Sequence, residues 1–152
     1  MSESFSYKDL EAIILEKLKN GGKVRISPKG TSMMPLIREG IDEVELTGLV
    51  KKPKKYDIIF YKRKTGEFIL HRIIKVKKNS YILMGDNQIT LEKGICDDMI
   101  LAVVSGIYRD KKYVDISDKE YIKYSKNQVK KQMIKRKTDI LKSVIRKIVR
   151  GR

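Results

Sequence analysis

The chain holds a single cysteine, Cys96, and a single histidine, His71. One cysteine excludes a disulfide framework and a thiolate metal site. One histidine excludes a zinc site built on several imidazoles. No metal site is expected, no cofactor is implied, and any imidazole chemistry falls to His71. No run of about 18 apolar residues occurs, so no transmembrane helix is expected. The N-terminus, MSESFSYKDLE, lacks the charged-then-apolar layout of a signal peptide. The expected location is the cytoplasm, with peripheral attachment to a membrane kept open. Internal repeats and low-complexity linkers are absent as well.

Acidic charge is scarce. Lys and Arg number 35 against 19 Asp and Glu, a net charge of +16. That excess excludes an acidic, solvating chain and favours an anionic partner. The 152 residues amount to one domain. Apolar residues make up 41% and charged residues 36%, so a core can form while some segment carries surplus charge.

Three segments follow from the periodicity. Residues 1–22 read as an N-terminal helix, with Leu10, Ile13, Ile14 and Leu18 on one face. Ser6 is the expected N-cap, with Asp9 completing a capping box, and Gly21-Gly22 the stop. Residues 23–112 read as a β-rich domain of about six or seven short strands. Val24 and Ile26 alternate with Lys23 and Arg25, and Val44, Leu46 and Leu49-Val50 suggest a second strand. Further β-rich runs are Ile58 to Tyr61, Phe68 to Val76, Tyr81 to Met84 and Ile100 to Tyr108, each bounded by turn residues. Such a domain suits a rolled sheet or partly open barrel. Residues 113–152 read as a basic amphipathic helical segment. The stretch 117–152 has 13 Lys or Arg against 3 acids and no Gly or Pro before Gly151.

Chemistry concentrates in three short motifs. Ser32 lies in the turn Gly30-Thr31-Ser32-Met33-Met34-Pro35. A serine hydroxyl is a poor nucleophile until a base takes its proton, and a neutral imidazole suits that task near neutral pH. His71, in His71-Arg72-Ile73-Ile74, is the one imidazole available. A carboxylate that fixes the tautomer improves such a base, and Asp86 in Gly85-Asp86-Asn87 is a reasonable third member. Backbone N–H groups around Ser32 offer an oxyanion site. Taken singly, each motif has an ordinary explanation: a turn serine, a strand histidine, a hairpin turn.

The ordered set of Gly30 to Pro35, Tyr56-Asp57-Ile58-Ile59-Phe60-Tyr61, His71-Arg72-Ile73-Ile74 and Met84-Gly85-Asp86-Asn87 resembles the signal peptidase I and SOS-repressor superfamily of serine peptidases. The resemblance covers roughly residues 22–108. It is nearest to the branch that uses histidine, as in archaeal and endoplasmic-reticulum signal peptidases, where other members place a lysine. It implies a mainly β fold of the signal-peptidase type. It implies Ser32 as nucleophile, His71 as general base and Asp86 as supporting acid. A second acid past the Gly-Asp-Asn box is also implied, and Glu92 stands nearest that place. Gly30, Thr31, Met33, Met34 and Pro35 are the implied substrate-binding residues.

There are departures. The membrane anchor usual in signal peptidases is not seen, Gly30 stands where many members carry a serine, and Tyr56 stands where glycine usually precedes Asp57. The layout resembles small unanchored members, which implies a leader or precursor peptide as substrate. An anionic membrane surface is kept as a candidate partner for the basic helix. The alternative function is a non-catalytic, peptidase-like module that docks through this helix on membrane or a partner protein. Nucleic acid is disfavoured, since no recognised binding signature is present.

Overall fold

The computed structural model describes residues 7–151, with side chains from Glu11 onward. The cap expected at Ser6 lies outside the described residues, as do the side chains of Asp9 and Leu10. Helix α1 spans Tyr7–Lys19 and seats Leu18 and Ile14 on the core, while Ile13 faces outward. It ends as expected: Gly21 takes a left-handed φ of 76°, and the Gly22 N–H reaches the Lys17 carbonyl at 2.9 Å.

Eight strands follow: β1 Lys23–Ile26, β2 Glu43–Thr47, β3 Ile58–Lys62, β4 Phe68–Val76, β5 Tyr81–Met84, β6 Glu92–Ile95, β7 Ile100–Arg109 and β8 Lys112–Asp115. They form one antiparallel sheet in the order β1-β2-β7-β3-β4-β5-β6, with β8 also on β7. The sheet does not close, and β1, β6 and β8 lie at its edges. The fold is therefore mainly β, with a helix before the sheet and a long helix, α2 Lys119–Arg150, after it. Two strands exceed the sequence expectation. β6 (EKGI) and β8 (KYVD) carry too few apolar residues to show alternation. Because β8 pairs with β7, the sheet continues to Asp115, past the boundary at 112.

Alternation along the strands sorts side chains onto two faces. Ile58, Leu70, Val44, Leu46 and Val104 join Leu18 and Met33 in one cluster. Ile59, Tyr61, Ile73, Leu83 and Ile95 form a second. β4 is covered on both faces, and all five residues from Leu70 to Ile74 are buried. Its neighbours His71 and Arg72 thus point to opposite sides. The first half of α2 covers the Arg72 side. Val129 packs with Ile74 and Met84, and Tyr56, Leu91 and Met133 complete that third cluster.

Candidate active site

Two turns meet at the end of the sheet. The segment after β1 runs through Gly30 to Pro35 as a series of turns, and several bonds hold it. Glu39 Oε1 accepts the Gly30 N–H at 2.8 Å. Buried Asp42 takes the Arg38 backbone N–H and guanidinium at 2.7–2.8 Å. Arg109 donates to the Pro35 and Leu36 carbonyls. The second turn, Gly85-Asp86-Asn87, clasps the first. Asn87 donates its backbone N–H to the Ser32 carbonyl at 2.8 Å and its side-chain amide to the Thr31 carbonyl at 3.2 Å.

Gly85 is the floor between Ser32 and His71. A Cβ there would lie 2.6 Å from the Ser32 carbonyl oxygen and 3.1 Å from His71 Nε2. Only a residue without a side chain lets the two approach. The Ser32 backbone carbonyl and His71 Nε2 thus both come close to Gly85. Among the described residues neither Ser32 Oγ nor His71 Nε2 is hydrogen-bonded. The Ser32 and Met33 N–H groups likewise find no partner there, whereas the Gly30 and Met34 N–H groups are taken.

The other ring nitrogen of His71 is engaged. Nδ1 lies 3.2 Å from Tyr61 Oη and 3.5 Å from Glu92 Oε2. The Tyr61 hydroxyl donates to Glu92 Oε2 at 2.6 Å, and Arg63 holds both Glu92 oxygens at 2.7 and 2.8 Å. Strand register explains the cluster. Ile59 pairs with His71, so Tyr61 sits diagonally from it on the same face. Glu92 pairs with Leu83, which pairs with Ile73, two residues along from His71. With the Tyr61 proton given to Glu92, Nδ1–H is the donor toward this pair and Nε2 keeps its lone pair. Burial holds the His71 pKa below its ordinary value, against the opposing pull of Glu92. The ring is therefore neutral near pH 7. Burial pushes the Glu92 carboxyl up, but hydrogen bonds from Arg63 and Tyr61 outweigh it and hold it below the usual range.

Asp86 is placed differently from the sequence expectation. Both its oxygens bind the Arg72 guanidinium, at 2.8 and 2.6 Å, and both side chains are fully buried. Arg72 also donates to the Tyr56 carbonyl, Tyr121 Oη and Ser125 Oγ. Asp86 follows Met84, which pairs with Arg72, so it falls on the Arg72 face of β4 and not on the Nδ1 side of His71. The carboxylate at Nδ1 is Glu92. Helix α2 secures the Gly85 turn from the far side. Gln128 donates to the Asp86 carbonyl at 2.8 Å, Gln132 to those of Gly85 and Gln88 at 2.7 and 3.0 Å, and Arg136 to that of Ile89 at 2.8 Å.

Beside Ser32 opens a largely apolar cleft of about 210 Å³, walled by Ile26, Met33, Phe60, Phe68, Ile69 and Leu70. Gly30 and Met33 line it, whereas Thr31, Met34 and Pro35 lie outside it on the exposed side of the turn. Sequence reasoning missed Tyr61 and Arg63, which position Glu92, and Asn87, which clasps the turns. Tyr61 reads as one more apolar strand residue, and no local signal marks its partner.

No group of His, Cys, Asp and Glu suited to a metal ion occurs among the described residues, and none of their helices is long and apolar enough to cross a membrane. The chain matches no family model, no curated protein and no solved structure.

Proposed function

We propose that the protein is a serine endopeptidase of the signal-peptidase type that cuts an extended leader or precursor peptide. The observation that carries this reading is the state of His71. Its Nδ1 is committed to Tyr61 and Glu92, and its unbonded Nε2 faces Gly85, beside which the Ser32 backbone carbonyl also lies. In this reading Ser32 Oγ attacks the peptide carbonyl carbon while Nε2 takes its proton. The Ser32 and Met33 N–H groups receive the oxyanion. Collapse of the adduct expels the amine, which leaves with the proton from Nε2. A water then gives its proton to Nε2 and attacks the acyl-Ser32, and collapse of this second adduct releases the acid product while Ser32 Oγ takes the proton back from Nε2. Glu92 fills the place of supporting acid, through Tyr61 and directly.

The surroundings fit such a substrate. β1 is an edge strand ending at Ile26, which lines the cleft. A peptide added along that edge would place one apolar side chain in the cleft beside Ser32. The open antiparallel sheet accords with the rolled sheet of the signal-peptidase type. The test is digestion of an unstructured peptide library, with new termini read by mass spectrometry. Wild type should generate them. Ser32→Ala and His71→Ala should each lose at least about 10³-fold in rate, with the melting temperature unchanged for Ser32→Ala and lowered for the buried His71→Ala. Turnover retained by Ser32→Ala sinks the reading.

A further inference from the structure

Helix α2 is two helices in function. Its first half is fastened to the domain by Tyr121, Ser125, Gln128, Gln132 and Arg136. Their spacing of four, three, four and four residues is a single helical face. Beyond Arg136, no described residue of the helix bonds to the domain or joins a core cluster. Residues 137–150 thus extend for about 21 Å in the open. Yet this half is rich in apolar side chains. Ile134, Ile140, Leu141, Val144, Ile145, Ile148 and Val149 are between 47% and 67% exposed.

Ile140 and Val144 continue the line of Val129 and Met133, but the rest of the stripe does not continue the docked face. Leu141 lies about 140° round the helix from Arg136, and Ile145 about 180°. The apolar side therefore looks away from the domain. Lys142 and Lys147 border it on its two edges, Lys137 falls within it between Val144 and Ile148, and Lys135, Arg136, Arg146 and Arg150 occupy the remaining arc. Asp139 is the one acid between residues 134 and 150, against seven basic residues. A second copy docked along this stripe would set like charges side by side. A nucleic acid would use the charges and leave the apolar row in water.

We propose that residues 134–150 form a docking surface for an anionic lipid bilayer. The stripe lies at the acyl boundary, and the bordering lysines reach phosphate headgroups along their apolar stems. The domain then stands on the aqueous side of the helix. A helical stretch this short is marginal in water when anchored at one end, and the bilayer supplies the missing partner. The inference rests on the helix and stands independently of the peptidase reading.

The test uses the full chain and co-sedimentation with vesicles of phosphatidylcholine alone or mixed with phosphatidylglycerol. The expected result is binding to the mixed vesicles, little to the neutral ones, and loss with added salt. Ile145→Glu with Ile148→Glu should weaken binding at least about tenfold with the same melting temperature, since both residues are exposed. Ser32→Ala should bind as wild type does. No binding to the mixed vesicles overturns the proposal. So does equal binding by the double variant, which would mean that charge alone acts. A dimer in light scattering that the double variant abolishes also overturns it, because a second copy then covers the stripe.

Discussion

Asp86 and Glu92 flank the same strand, and each is gripped by an arginine through two short bonds. Their surroundings separate them. Asp86 is wholly buried against a wholly buried Arg72, which is tied in turn to α2 and to the Tyr56 carbonyl. Glu92 keeps 22% of its side chain exposed and shares itself among Arg63, Tyr61 and His71. The first pair lies on the Arg72 face of β4, across the strand from the Nδ1 side of His71. The second is held from one side by Arg63 and offers Oε2 to the imidazole side. A carboxylate near a histidine is thus not the histidine's carboxylate until strand parity is known. His71 and Arg72 are adjacent in sequence and opposed across the sheet.

The sharpest way to break this contrast is Asp86→Asn. Removing one charge of a fully buried pair strands the other, and the expected loss is about 3–5 kcal/mol. Because Arg72 also anchors Tyr121 and Ser125, urea unfolding should show α2 loosening with the domain. Any fall in peptide cleavage should follow the folded fraction. An Asp86→Asn protein that melts normally but fails to cleave would give Asp86 the role assigned here to Glu92.

Glu92→Gln should do the converse. The carboxylate is partly solvated, so the stability change should be about 1 kcal/mol or less. The amide can donate toward Nδ1 and so favours the tautomer with its proton on Nε2. Turnover should fall about 10²–10⁴-fold. Glu92 raises the His71 pKa, and its removal should move the acid limb of the residual activity to lower pH. An acid limb unmoved by the substitution would show that Glu92 does not act on His71.

The sequence carries some of this and hides the rest for physical reasons. Runs such as Ile58 to Tyr61 and Phe68 to Val76 announce strands because both faces are buried and apolar residues crowd together. β6 and β8 stay silent because half their positions face solvent and their pairing is set by neighbours in space. Ser32 and His71 emerge from the order of the motifs. The approach of the Ser32 carbonyl and His71 Nε2 to the same point depends on Gly85, whose missing side chain matters only once the two turns face each other. The parts of Asp86 and Glu92 turn on register, on whether Arg72 or His71 lies opposite a given β5 residue. A one-residue slip exchanges every facing side chain. Tyr56 shows the converse case. Its φ of 80° is a glycine conformation, and its ring is retained as packing for Ile74, Met84 and Val129.

The smallest effect belongs to His71 itself and sharpens the electrostatic side of the contrast. Burial depresses its folded pKa below the ordinary value of about 6.5. Above that pH neither the folded nor the unfolded state binds the proton, and the group is neutral to stability. As pH falls below about 6.5, the unfolded chain takes up a proton that the folded chain refuses. Stability is then lost until the pH has passed the folded pKa. The charged neighbours are Glu92 and Asp86, which favour the proton, and Arg63, which opposes it. Glu92, held below its ordinary value, begins to titrate only at lower pH. The difference between wild type and His71→Gln in urea melts between about pH 7 and 5 therefore isolates His71, since Asp57, which burial raises, is common to both proteins. Wild type should weaken across this window, and His71→Gln should run flatter. Parallel curves for the two proteins would mean that the folded ring accepts a proton as readily as the unfolded one. The neutral base on which the catalytic reading depends would then be lost.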